Sequence, residues 1–179
     1  MSAAAQRLEG MGEMASEQSQ YLTFMLGGEV FAIGILAIKE IIEYDNVTAV
    51  PMMPECVRGV INLRGAVVPV IDLSVRFGRS VSQQTRRTCI VIVEVQAEGQ
   101  ERQVMGVIVD AVNEVLEIAG TEMEAAPSFG TQIRTDFIRG MGKVGNRFVI
   151  VLDVDVVLAG DDLAGLVSGT DTAATALAA

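Results

Sequence analysis

The sequence repeats itself at long range, and this repeat restricts the possible folds more than any other feature. Arg58-Gly59 stands fourteen residues before Asp72, and Arg139-Gly140 stands fourteen before Asp153. Between them, Val67-Val68-Pro69-Val70-Ile71 corresponds to Phe148-Val149-Ile150-Val151-Leu152. Upstream, Phe31-Ala32-Ile33 and Ala37-Ile38-Lys39-Glu40-Ile41-Ile42 correspond to Met105-Gly106-Val107 and Ala111-Val112-Asn113-Glu114-Val115-Leu116, so Glu40 is matched by Glu114. Pro51 has a looser counterpart in Pro127. Any one match could arise by chance, but four in the same order predict a duplicated unit. A unit of about 65 residues buries too little surface to stand alone, so two are expected to pack together. The seam between them is a favoured place for binding.

The local pattern makes each unit a β structure. Half of the residues are apolar, aromatic residues are few and Trp is absent, so the core rests on Val, Ile, Leu and Met, with Val and Ile favouring strands. Two β-prone runs flank Gly27-Gly28, which is a hairpin signal. A short turn at residues 34–37 leads into a strand in which Ile38, Glu40, Ile42 and Tyr44 share one face, placing a carboxylate among three large apolar side chains. Asp72 reads as the N-cap of a short helix over residues 73–77 with Gly78 as its stop, and Asp153 is the corresponding cap. Pro69 cannot donate a ladder hydrogen bond, which predicts an edge or bulge position.

Composition excludes several functions. The formal net charge is −10, which opposes phosphate binding. The local cluster Arg76, Arg79, Arg86 and Arg87 reads most simply as a solvated loop, so nucleic acid is not expected as a partner. Histidine is absent, which removes Ser-His-Asp and Cys-His nucleophile systems, histidine metal sites and phosphohistidine chemistry. Neither a phosphate-binding GxxxxGK[ST] loop nor a GxGxxG between strand and helix is present. Asp110 and Glu114 are the carboxylates on which a small β-barrel catalyst would have to rest. Cys56 and Cys89 lack CxxC spacing and read as reduced small hydrophobes. Residues 1–20 lack a basic start followed by an apolar block, and no apolar stretch approaches the ~20 residues of a spanning helix.

The stretch Gly59-Val60-Ile61-Asn62-Leu63-Arg64-Gly65, followed by Val67-Val68-Pro69-Val70-Ile71-Asp72-Leu73, resembles the signature of the CheW-like domain family of chemotaxis coupling proteins. Ile35-Leu36-Ala37-Ile38-Lys39-Glu40-Ile41, Gly106-Val107-Ile108-Val109-Asp110 and Arg139-Gly140-Met141-Gly142 agree in the same order. The resemblance implies a mostly β fold of two SH3-like five-stranded β-barrel lobes packed together, with short helices and a C-terminal helix. The domain would span residues 18–160, with lobes near 18–82 and 83–160 whose strands can cross over. A mobile N-terminal tail (1–17) would precede it, and a C-terminal helix end and flexible tail (161–179) would follow.

The resemblance further implies a non-catalytic, cytoplasmic adaptor without cofactor or metal, recruited to membrane-associated chemoreceptor arrays without inserting into the membrane. Its partners would be the helical tip of methyl-accepting chemotaxis receptors and the regulatory domain of the histidine kinase CheA, with other CheW-like domains as a further partner. Carried over position by position, the receptor-binding residues are Ile38, Glu40, Gly59, Arg64 and Val112. The kinase-binding residues are Tyr44, Val47 and Val50.

Overall fold

The computed structural model describes residues 18–96, 101–125 and 134–159. The two expected tails, most of the expected C-terminal helix and Pro127 lie outside these residues. Eleven strands follow in chain order. The first five are β1 (Gln18–Leu26), β2 (Glu29–Gly34), β3 (Ile38–Glu43), β4 (Val57–Leu63) and β5 (Ala66–Asp72). The other six are β6 (Cys89–Gln96), β7 (Arg102–Val109), β8 (Ala111–Ala119), β9 (Met123–Glu124), β10 (Ile138–Val144) and β11 (Arg147–Leu152). The α-helices are single turns, α1 (Leu73–Arg76) and α2 (Val154–Val157). One sheet has six strands in the order β8-β1-β2-β11-β10-β9, and the other five in the order β3-β6-β7-β5-β4.

The duplication appears in the ladders residue by residue. A bulge falls between Val57 and Gly59 in β4, and another between Ile138 and Gly140 in β10. Asp72 N donates to Cys56 O at 2.6 Å, and Asp153 N donates to Phe137 O at 2.9 Å. The parallel pair Val70 and Gly106 is matched by Val151 and Ala32. The two sheets are not successive along the chain, however. β1 and β2 join β8–β11, whereas β3, β4 and β5 join β6 and β7. Each sheet therefore takes strands from both halves, and the chain crosses between sheets at the 3-10 turn Ile35–Ala37 and again at Asp110.

Two SH3-like five-stranded barrels were expected. The sheets instead have six and five strands, and among the described residues no continuous ladder joins the end strands of either. In the five-stranded sheet a single antiparallel bridge, Thr48 to Val60, links the stretch after β3 to β4. In the other, β8 turns through Gly120–Glu122 into β9, which pairs with β10. Pro69 stands opposite Val60 in β4, and the parallel ladder to β7 begins only at Val70, so the missing N–H falls where β5 has no second neighbour.

Alternation along the central strands places their two faces in different cores. Ile90, Ile92, Ile108 and Val70 pack inside the five-stranded sheet. Tyr21, Ala32, Ile118, Val149 and Val151 pack inside the six-stranded one. The largest cluster lies between the sheets and draws Phe24, Phe31 and Ile33 from one, and Ile71, Val91, Val93, Val107 and Val109 from the other. Burial on both faces explains why residues 89–93 form an unbroken apolar run instead of an alternating one.

Candidate functional site

The turn between β4 and β5 positions the central charge of the site. Leu63 pairs with Ala66, so Arg64 and Gly65 form a two-residue hairpin loop, with φ of +52° and +86°. Both values belong to the turn that suits the twist of a hairpin, in which the first position prefers Asn, Asp or Gly. Gly65 N donates to Asn62 Oδ1 at 2.8 Å, which braces the loop. From this tip Arg64 Nη2 reaches Glu40 Oε2 on β3 at 2.6 Å. The Arg64 side chain is 78% exposed and that of Glu40 24%. β3 and β4 are the two end strands of their sheet, so the ion pair joins its opposite edges.

The pair borders an open cleft of ≈ 850 Å³. Its floor includes Leu63, Val67, Pro69 and Val104, and charges of both signs ring it: Lys39, Glu40, Arg64, Glu101 and Arg102. Val67 is exposed there without a covering side chain. An apolar floor inside a mixed polar rim can accept an amphipathic element of another protein.

The structure places the remaining expected site residues outside the lining of this cleft. Glu40 and Ile42 share a half-buried face of β3, but a bulge between Ile38 and Glu40 turns Ile38 to the opposite face, so the single face expected for all three is broken there; Lys39, Ile41 and Glu43 are exposed. Ile38 packs against the core between the sheets, and Val112 borders that same core from β8, opposite Phe24. Neither Ile38 nor Val112 lines the cleft. Gly59 lies at the β4 bulge, where a Cβ would overlap the carbonyl oxygen of Thr48, so it admits the stretch after β3 and does not form the cleft wall. Tyr44, Val47 and Val50 lie on that stretch, with Tyr44 and Val47 packed against the core of the five-stranded sheet.

Sequence reasoning missed a second polar centre beside Tyr44. Asp72 is 1% exposed and is more than a helix cap. It accepts from Ser74 N at 3.0 Å, Arg58 Nη2 at 2.7 Å, Ser82 N at 2.9 Å and Ser82 Oγ at 2.7 Å. Arg58 also donates from Nη1 to Tyr44 Oη at 3.2 Å. Burial works against the Arg58 charge, but its hydrogen bond to Asp72 and the charges of Tyr44 and Asp72 outweigh that effect and raise its pKa above the ordinary value. The Arg-Gly…Asp spacing was the only signal, and it also occurs at Arg139 and Asp153, which form no ion pair. Lys39, Glu101 and Arg102 gave no local signal of a shared cleft.

One other expectation needs correction. Arg76 and Arg79 are not part of a solvated loop, because both bond to the six-stranded sheet or to α2; Arg86 and Arg87 are exposed. Asp110 accepts from Gly27 N at 2.8 Å and holds the β1–β2 turn, while Glu114 is exposed, so these carboxylates have separate settings. Among the described residues no group of three or more His, Cys, Asp or Glu could hold a metal, and no helix is long and apolar enough to cross a membrane.

The two copies differ at the ion pair. The hairpin turn equivalent to Arg64-Gly65 lies between Val144 and Arg147, and there Gly145 takes the place of Arg64 with φ +61°. Glu114, the counterpart of Glu40, thus has no equivalent arginine. The fold is satisfied by glycine at this turn. Arginine in the left-handed region costs roughly 1 kcal/mol, and an exposed ion pair returns only about 0–1 kcal/mol. Strain of this kind concentrates at functional sites.

The family model of the CheW-like domain matches residues 20–162. The chain is 34% identical over 145 residues to the chemotaxis protein CheW of Klebsiella aerogenes, covering 81% of this chain and 84% of that one. It is 36% identical over 138 residues to the chemotaxis protein CheW of Bacillus subtilis, covering 76% and 85%. The crystal structure of the scaffolding protein TtCheW from Thermoanaerobacter tengcongensis superposes with a TM-score of 0.72 at 32% identity, covering 81% of this chain and 90% of that one.

Proposed function

This chain belongs to the CheW-like domain family, and from that premise we propose that it is a non-catalytic chemotaxis adaptor coupling methyl-accepting chemoreceptors to the histidine kinase CheA. It has the scaffold role of its relatives, works in the cytoplasm and is recruited to membrane-associated receptor arrays. It binds the helical tip of a receptor and the regulatory domain of the kinase, with other CheW-like domains as neighbours, and uses no cofactor.

One observation carries this reading: Arg64 occupies a left-handed turn position that the second copy fills with Gly145, and it spends its reach on Glu40 at the rim of an apolar-floored cleft. A residue placed against backbone preference, with little return in stability, is explained by a partner. The cleft suits a helix laid along an apolar floor, with its polar flank meeting Arg64, Lys39 and Arg102. Ile38, Gly59 and Val112 are the other receptor-side positions, and Tyr44, Val47 and Val50 form the kinase side. Each lobe is read as an SH3-like barrel. The approach of β3 to β4 through the Glu40–Arg64 pair and the Thr48–Val60 bridge supports this for one lobe, and the turn of β8 into β9 supports it for the other.

Coupling of this kind requires no chemistry: modest contacts, repeated in an array, gain strength through avidity. The test is co-purification of the full chain with a receptor cytoplasmic fragment and a kinase regulatory fragment. Retention of both in one complex is expected. Retention of neither contradicts the proposal.

A further inference from the structure

The segment that leaves β5 ties the two sheets together. α1 and the residues after it continue from the five-stranded sheet, yet three of their side chains engage the other half of the molecule. Phe77 is buried between Phe31 and Phe137, with ring centroids 5.7 and 5.9 Å away. Arg76 donates from Nε to Val157 O at 2.8 Å and from Nη2 to Ala159 O at 2.8 Å, and its guanidinium lies 5.0 Å from the Phe137 ring centre. Arg79 donates from Nη2 to Glu29 Oε1 at 2.9 Å and lies 5.9 Å from the Phe31 ring.

The local backbone aims these groups. Gly78, at φ +80°, ends α1, with Gly78 N bonded to Val75 O at 2.9 Å and Arg79 N to Ser74 O at 2.8 Å. This paired termination fixes the direction in which Arg79 leaves the helix. Val157 O at the end of α2 and Ala159 O just beyond it lie past the hydrogen bonds of that single turn, and the planar fork of arginine can satisfy two such carbonyls at once. The arrangement is one-sided: in the second copy the counterparts of Arg76 and Phe77 are Val157 and Leu158.

We propose that residues 73–79 are an interlobe clamp, in which Arg76 and Arg79 are positioning residues that fix the angle between the two sheets. The chain crosses between sheets only at Ile35–Ala37 and Asp110 among the described residues before β9, so these are the points about which the sheets turn once the clamp is released. Each sheet keeps its own ladders and inner core when this happens, because neither Arg76 nor Arg79 contributes to them. The core between the sheets, which includes Phe77, still joins them, so the change is a small reorientation about that shared core. The inference stands apart from the partner assignment and concerns the adaptor alone.

Residual dipolar couplings of the backbone amides, fitted separately for the two sheets of the full chain, test it. In the native protein one alignment tensor fits both sheets. In Arg76→Gln the two tensors are expected to diverge while each sheet still fits internally. Amide exchange should rise about tenfold in residues 73–79 and 154–158, the factor expected from losing charge-assisted hydrogen bonds, with protection retained in residues 90–93. A single tensor for both sheets in the variant overturns the proposal, and so does loss of protection throughout both sheets together. Should Arg76→Gln fail to fold, Arg76→Lys, which keeps the charge but loses the fork, is judged by the same outcomes.

Discussion

Gly59 lies so close to Thr48 that a Cβ on it would overlap the Thr48 carbonyl oxygen, and this contact sits beside the bridge between Thr48 and Val60. The second copy repeats the arrangement more loosely. A Cβ on Gly140 would meet Met123 Sδ at 2.7 Å, Met123 Cγ at 2.8 Å and Glu124 O at 3.0 Å. The repeated Arg-Gly thus marks the place where each sheet folds its preceding segment back against a bulged strand.

Gly59→Ala is accordingly expected to destabilise the protein by about 3 kcal/mol or more, since backbone must move to admit the methyl group. Gly140→Ala should cost less, about 1–2 kcal/mol, because the flexible Met123 thioether can turn aside. Urea midpoints of the two variants check the order.

The two capping aspartates should also separate. Asp72→Ala removes the acceptor of Arg58, Ser74 and Ser82 and leaves a partly buried guanidinium without its carboxylate, at a cost of about 3 kcal/mol or more. Asp153→Ala removes a single long cap bond, 3.4 Å to Val156 N, and should cost about 1 kcal/mol. Equal losses in denaturant titrations would refute this distinction.

The contrast between these aspartates shows what the sequence could express. The Gly27-Gly28 hairpin, the shared face of Glu40 and Ile42, and the caps at Asp72 and Asp153 were legible because each follows from a local backbone or periodicity requirement, whereas the bulge that turns Ile38 to the other face was not. The exchange of β3 and β8 between sheets was not, since a strand's pattern says which face is buried and not which neighbour it pairs with. The Arg58–Asp72–Ser82 network escaped for a related reason: a buried carboxylate at a strand end looks like any cap until its distant donors are placed. Arg76 and Arg79 looked solvated because their acceptors, the carbonyls of α2 and Glu29, lie far along the chain. At the cleft, Glu40 and Arg64 were singled out by family resemblance, whereas Glu101 and Arg102 arrive only through the position of β7.

The cysteines should differ in reactivity. Burial pushes the Cys89 thiol pKa up, and the nearby Glu43 carboxylate adds to the shift. Only the thiolate attacks an alkylating agent, so Cys89 should react more slowly than an unstructured thiol at mildly alkaline pH. Glu43→Gln removes a negative charge, lowers the thiol pKa and should speed the reaction. Cys56 is buried and should react after Cys89. Mass-spectrometric alkylation kinetics decide both points.

Arg64→Gly brings the residue of the second copy into the first. It relieves the left-handed strain and loses an exposed ion pair, so stability should be unchanged or rise by up to about 1 kcal/mol. Receptor retention should nevertheless weaken. A stability loss of several kcal/mol would make Arg64 a structural residue.

Binding of a receptor helical-tip fragment to charge-reversed variants, measured by calorimetry on folded protein, tests the Glu40–Arg64 cleft most directly. Glu40→Arg and Arg64→Glu should each weaken binding about tenfold or more, as expected when like charges meet at an interface rim, and the double exchange should recover much of it. Native affinity in both single variants would contradict the assignment of this cleft to the receptor.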